Sequence, residues 1–283
     1  MHSKTCIIVS GPTAVGKTSY AIDLALQYQT EIISADSRQC FKELNIGVAK
    51  PSADQLGKVK HYFINSHSIF DTVNAKVFEE YALESVYSIF KTNDVAIMVG
   101  GTGLYIKAFC EGFDEVPEIN EEIRKHVFEN YQTQGASWLQ SELEKKDLLY
   151  FQQGEMKNPQ RMMRALEVIL STGSSIYNFH KGEKVSRDFN IRHIFLDMPR
   201  EELYANINNR VDVMMYEGLL DEAKSLYPFK HLNALQTVGY KELFAHIDGD
   251  ISLENAIDLI KKNTRHYAKR QNTWFKKFIP QNQ

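Results

Sequence analysis

The chain has 283 residues, 43% of them hydrophobic and 24% charged, with 33 Lys+Arg against 36 Asp+Glu for a net charge of −3. These are values of an ordinary globular chain, long enough for one large domain or two smaller ones, and they exclude fibrous and low-complexity classes. Three cysteines (Cys6, Cys40, Cys110) without C-x-x-C spacing argue against a disulfide scaffold or a cysteine zinc site. No apolar run nears the roughly 18 residues of a membrane span, and Cys6–Val9 is too short for a signal peptide, so a cytoplasmic protein is expected.

Thr5–Ser10 is an apolar, β-branched run that ends at a glycine loop and reads as a buried parallel strand. Lys17–Tyr28 has apolar residues at helical spacing. Glu31–Ala35 is a second strand candidate, Val77–Phe90 a helix, and Asp94–Val99 a third strand ending in Gly100-Gly101. Strands alternating with helices predict a parallel sheet with helices on its faces. The middle of the chain differs. Asn120–Asn130 and Ser137–Lys145 are charged and amphipathic, and Asn158-Pro159 supplies an N-cap and a first-turn proline for a helix that closes near Thr172-Gly173. Residues 115–189 therefore read as a helical insertion. Ile191–Leu196 returns to the sheet, and three helices follow: Glu201–Met215, Leu219–Tyr227, and a long one from Ser252 as N-cap through Leu253 to Phe275.

Charge is unevenly placed along this plan. From Leu259 to Gln283 there are seven Lys/Arg and no acid, leaving 26 basic against 36 acidic residues elsewhere, a net of −10. Lys261, Arg265 and Lys269 follow one another at i+4 steps, which predicts a cationic stripe suited to a phosphate backbone. If it neutralises about five phosphates, log K should fall with log salt at a slope near −3.5.

Gly11-Pro12-Thr13-Ala14-Val15-Gly16-Lys17-Thr18 matches G-x-x-x-x-G-K-[ST], after a strand and at the start of a helix. Backbone N–H groups of Gly11, Thr13, Ala14, Val15 and Gly16 can turn toward phosphate oxygens, Lys17 adds a full positive charge, and the Thr18 hydroxyl can hold Mg²⁺. The motif specifies an oligophosphate, not ATP. The strand Asp94–Val99 ends in glycine rather than in the aspartate that commonly holds the metal of such proteins, and Asp197 is a late substitute.

Six segments now stand in order: the phosphate loop, Ser34–Gln39 with Ile46–Pro51, Gly100–Ile106, Asn158–Val168, Gln236–Glu242 and Ala268–Phe275. Together they resemble the tRNA dimethylallyltransferases, or tRNA isopentenyltransferases, over nearly the whole chain. The chain ends without the zinc-finger extension of longer members, which resembles the compact bacterial form. The resemblance implies an α/β fold: a P-loop NTPase-like parallel sheet core from residues 1–114 and 190–283, a helical insertion domain at 115–189 that contacts tRNA, and a helical C-terminus.

It also implies a reaction. Dimethylallyl diphosphate gives its five-carbon group to the N6 amine of the adenine at tRNA position 37, in tRNAs reading codons that begin with U, and diphosphate is released. Asp36 matches the general base. Thr102 would lie between amine and diphosphate, although by itself it could simply cap a helix. Lys17 and Arg210 would grip diphosphate with the loop. Implied tRNA contacts are Asp36, Ser37, Arg38, Gln39, Thr102, Arg124, Gln160, Arg161, Met162, Met163, Arg164, Gln236, Gly239, Tyr240, Lys241, Arg265 and Lys269. The expected partners are the tRNA anticodon stem-loop and dimethylallyl diphosphate, with a monomer and no membrane. Where many members carry two adjacent histidines, this chain has His61-Tyr62. The phosphate loop alone also suits a nucleotide or small-molecule kinase, and the basic C-terminus a nucleotide-gated RNA-binding module.

Overall fold

The computed structural model describes residues 4–114, 116–180, 182 and 184–279. The chain divides into two compact units, Met1–Gly112 with Val185–Gln283, and Phe113–Lys184. No helix among the described residues is long and apolar enough to cross a membrane.

The first unit opens with β1 (Thr5–Ser10), α1 (Lys17–Gln27) and β2 (Ile32–Ser34), followed by α2 (Ala53–Lys58), β3 (His61–Tyr62), α3 (Ala75–Phe90), β4 (Val95–Gly100) and α4 (Gly103–Glu111). The second unit holds α5 (Glu121–Lys146), α6 (Leu148–Gln153) and α7 (Pro159–Thr172). The chain then returns to the first unit with β5 (Asn190–Phe195), α8 (Arg200–Tyr216), α9 (Leu219–Leu226), α10 (Tyr240–Ile247) and α11 (Leu253–Phe278). The core is the parallel-sheet, P-loop-like core expected from the sequence.

The sheet has the order β3-β2-β4-β1-β5, every pairing parallel. Alternation along β1 sets its two faces. Ile7 and Val9 pack with Ala21, Ile22 and Ala25 of α1, whereas Cys6 and Ile8 join the larger cluster with Phe78 of α3 and Phe109 of α4. Because β1, β2 and β4 are neighbours and parallel, the loops that follow them emerge at one edge, where α/β sheets bind ligands.

Helix ends follow their local chemistry. The Asn158 carboxamide accepts from Arg161 N–H, Pro159 fills the first turn, and Gly173 closes α7 in the left-handed conformation. Ser252 caps α11, which runs on to Phe278 instead of ending at Phe275, its last turn held by Phe278 stacked on Trp274 at 4.7 Å. Asn74 caps α3 at both Lys76 and Val77, so that helix begins earlier than its apolar spacing suggests. The short elements α2, β3, α6 and α10 have no counterpart among the elements expected from the sequence.

The two charged segments of the middle region form one run, α5, bent at Gly135 where the backbone leaves helical geometry. In the second unit Val127, Leu139 and Leu143 pack against Tyr150, Met162, Ala165 and Leu166. Glu115, where the insertion was expected to begin, lies outside the described residues. Its upper end falls at Lys184 rather than residue 189, because Arg187 is anchored in the first unit. Its guanidinium pairs with Glu79 at 2.8 Å and donates to the Phe109 carbonyl, both largely buried, while Phe189 packs its ring on Phe90 and Phe109.

Candidate active site

The phosphate loop leaves β1 and enters α1 through Gly16, whose φ of 92° suits a residue without Cβ. Lys17 folds back over the loop and donates to the Pro12 carbonyl at 2.6 Å. Burial lowers its pKa from 10.5 to about 8. The Asp36 carboxylate opposes that shift, and the Arg210 guanidinium adds to it. Arg210 comes from α8, donates from Nη1 to Thr13 Oγ1 at 3.3 Å, and is itself lowered by burial. Two partly desolvated cations at a helix N-terminus make a strong site for an anion. Thr18 lines the same space.

The loop after β2 supplies the carboxylate. Asp36 Oδ1 accepts from the backbone N–H groups of Arg38 at 2.8 Å and Gln39 at 3.2 Å. That turn fixes the carboxyl group while its second oxygen stays available. Ser37 N–H donates to Thr102 Oγ1 at 3.1 Å, and Thr102 N–H to the Ala35 carbonyl at 3.2 Å, so the loops after β2 and β4 are tied together. Thr102 occupies the N-cap position of α4 but makes no side-chain cap bond, because its hydroxyl serves Ser37 instead. Gln39 is committed inward: Oε1 accepts from Ser34 Oγ, and Nε2 donates to the Val48 and Ala49 carbonyls. The amide builds a wall of the site.

These groups share a cavity of about 700 Å³ that brings together Thr13, Lys17, Thr18, Asp36, Gln39 and Arg210. Four further residues build the site. Gln271 and Tyr267 reach the cavity from α11. Gln271 lies within the segment Ala268–Phe275, where nothing in the sequence marks its own role. His61 lines the cavity with Nδ1 on the Val59 carbonyl at 2.8 Å. A carbonyl only accepts, so Nδ1 carries the proton, and burial lowers the pKa and favours the neutral ring. Its neighbour Tyr62 is turned away to Glu31 at 2.7 Å. Glu222 accepts from Ile46 N–H at 2.8 Å and Gly47 N–H at 2.9 Å, and so holds the turn that Gln39 grips from the other side.

The residues expected to meet RNA differ in depth. Tyr240 is fully buried, its hydroxyl donating to Glu222 at 2.6 Å and its pKa pushed far up, first by burial. Gly239 beside it is buried, whereas Gln236 and Lys241 are exposed. Met162 is a core residue of the second unit, and Met163 packs against that core. Gln160, Arg161 and Arg124 are exposed there. Arg164 approaches Glu167 at 3.7 Å, and Arg124 also acts on that carboxylate.

Part of the stripe on α11 has partners on α8. Lys261 pairs with Asp212 of α8 at 2.6 Å, and Arg265 donates to Asn208 of α8 at 2.7 Å with its guanidinium over Tyr204. Lys276 pairs with Asp197 at 3.1 Å. Lys262, Lys269, Arg270 and Lys277 face solvent.

Known proteins resemble this chain in sequence and fold. The model of the IPP transferase family matches residues 39–278. The tRNA dimethylallyltransferase of Flavobacterium johnsoniae is 48% identical over 280 residues, 97% of this chain and 91% of that protein. The tRNA dimethylallyltransferase 1 of Bacteroides thetaiotaomicron is 43% identical, covering 96% and 89%. Among solved structures, the full-length tRNA isopentenylpyrophosphate transferase of Bacillus halodurans superposes with a TM-score of 0.69 at 36% identity, over 96% of this chain and 87% of that one. A eukaryotic dimethylallyltransferase acting on tRNA gives 0.79 at 25% identity, over 96% and 70%.

Proposed function

The chain belongs to the IPP transferase family, and from that premise we propose how its own residues carry a dimethylallyl group from dimethylallyl diphosphate to the N6 amine of adenine 37 in tRNAs that read codons beginning with U. Like its relatives it is a prenyltransferase acting on tRNA adenine. The donor, the position and the choice of tRNA are the proposed refinement. The observation that carries it is the single cavity in which a two-cation phosphate cradle faces a carboxylate.

The amine nitrogen attacks the primary allylic carbon while that carbon's bond to the diphosphate oxygen breaks. The bonding electron pair leaves with diphosphate. Lys17, Arg210 and the loop N–H groups stabilise the charge gathering there, strongly because they are already desolvated. The amine becomes cationic and gives its proton to the free oxygen of Asp36. Thr102 and the backbone of Ser37, bonded to each other beside the Asp36 turn, would flank the acceptor, and Arg38 of the same turn would meet the flipped base.

The family generally needs a divalent metal, and Mg²⁺ is the ion proposed. The Thr18 hydroxyl fits it, since a hard ion that prefers oxygen and keeps phosphate and water ligands asks little of the chain. When bound it neutralises diphosphate charge. The second unit, as the insertion domain, would hold the anticodon stem-loop through Gln160, Arg161 and Arg124, and Lys269 would meet backbone phosphate. A cytoplasmic monomer completes the proposal.

Incubating the protein with labelled dimethylallyl diphosphate, Mg²⁺ and unmodified tRNA, without ATP, should place label in the RNA at adenine 37. ATP turnover without RNA labelling would favour a kinase. Tight tRNA binding without covalent change would favour a binding module.

A further inference from the structure

Gln271 is 6% exposed, on the face of α11 that turns into the protein. Both ends of its carboxamide are used. Oε1 accepts from Thr13 N–H at 2.8 Å, and Nε2 donates to the Gly101 carbonyl at 2.9 Å. One partner can only donate and the other only accept, so the orientation of the amide is fixed. Thr13 belongs to the phosphate loop and its hydroxyl holds Arg210, whereas Gly101 directly precedes Thr102. One planar group therefore joins the loop after β1 to the loop after β4.

The same helix face reinforces this contact. Tyr267, one turn earlier, lines the cavity beside Gln271. Its pKa is pushed up to about 12, chiefly by burial, although 37% of the residue remains exposed. Trp274, about one turn later, covers Gly103, where a Cβ would lie 2.4 Å from the indole. Gly101 likewise has no room for a side chain, since a Cβ there would lie 2.2 Å from Gln271 Nε2. The ladder between β1 and β4 ends at the pair Ser10 and Gly100. Beyond it the bridging amide sets the spacing of the two loops.

We infer that Gln271 is a positioning residue for prenyl transfer: it keeps the diphosphate cradle and the loop carrying Thr102 at the separation the in-line attack requires. The inference rests on the proposed function. A glutamate at 271 would set an acceptor against the Gly101 carbonyl, and an alanine would leave two buried backbone groups unpaired. Either lets the loops drift, and a displacement near 1 Å is enough to cost about 10²-fold in rate.

The test compares wild type with Gln271→Glu, Gln271→Ala, Gly101→Ala and the double variant Gly101→Ala/Gln271→Ala, measuring kcat, KM for each substrate, and urea stability. Both Gln271 variants should lose about 10²-fold in kcat with KM little changed. Gly101→Ala alone should lose both stability and kcat. In the double variant the added methyl enters vacated space, so stability should return toward that of Gln271→Ala while kcat stays low. Wild-type kcat in either Gln271 variant, or a kcat that recovers together with stability in the double variant, overturns the inference. A wild type that labels no tRNA overturns the transferase reading, and this inference with it.

Discussion

Arg210 donates to the hydroxyl of Thr13, so a helix from the C-terminal half of the chain closes over a loop formed by its first residues. The contact aims a second cation at the position Lys17 already charges. Burial lowers the pKa of both groups. Arg210→Ala should raise KM for dimethylallyl diphosphate by about 10-fold or more, the worth of a charge-assisted hydrogen bond of about 1.5–3 kcal/mol. Its stability should change little, and steady-state kinetics with a parallel urea melt checks both.

Lys17 gives a pH dependence whose two signs are opposite. Its folded pKa of about 8 lies below the unfolded value of 10.5, so between those limits the unfolded chain binds more protons and this group makes stability rise with pH. Below about pH 8 it is protonated in both states and its cost is fully present. Diphosphate needs the charged form, so affinity should fall as pH rises through about 8. Lys17→Met should therefore raise the melting temperature of the free protein at pH 7 while abolishing diphosphate binding. Thermal melts with and without inorganic diphosphate from pH 7 to 10 measure both.

Asp36→Asn retains an oxygen for the Arg38 and Gln39 N–H groups and removes the base. The turn should survive, tRNA should still bind, and kcat should fall by about 10²–10⁴-fold. Equal turnover by the variant and wild type would remove Asp36 from the mechanism.

Met162 and Arg161 are adjacent in sequence and should behave oppositely. Met162→Ala empties a core position of the second unit and should cost about 2–5 kcal/mol in stability. Met162→Leu, close in volume, should leave tRNA affinity intact. Arg161→Ala should weaken tRNA binding without a change in stability. Filter binding beside urea titration separates the two.

Salt dependence tests the basic helix residue by residue. Lys269→Ala should make the slope of log K against log salt shallower by about 0.7, the share of one phosphate. Lys261→Ala removes a residue already paired with Asp212 and should leave the slope unchanged.

The legible parts of this protein are those whose causes are contiguous. The phosphate loop is a strand, a turn and a helix start, complete within eight residues. The caps at Asn158 and Ser252 act across three residues. The alternation of Ile7 and Val9 against Cys6 and Ile8 follows from the pleat. The candidate base was legible for the same reason, because Asp36 stands just beyond a strand and bonds to its own turn.

What the sequence by itself determined is the chemistry available and the local shape of each piece, since hydrogen bonds and periodicity over a few residues decide them. Only the tertiary structure decided which side chains are free to act. The run 259–283 has no acid of its own, yet Lys261 and Lys276 find Asp212 and Asp197 from other elements. Gln271 and Tyr240 look like surface polar groups in the sequence, and packing makes one the bridge between two loops and the other a buried prop for Glu222. A charge or an amide can be read from a letter. Its partner is chosen by elements tens to hundreds of residues away, whose approach is fixed by core packing rather than by the residue itself.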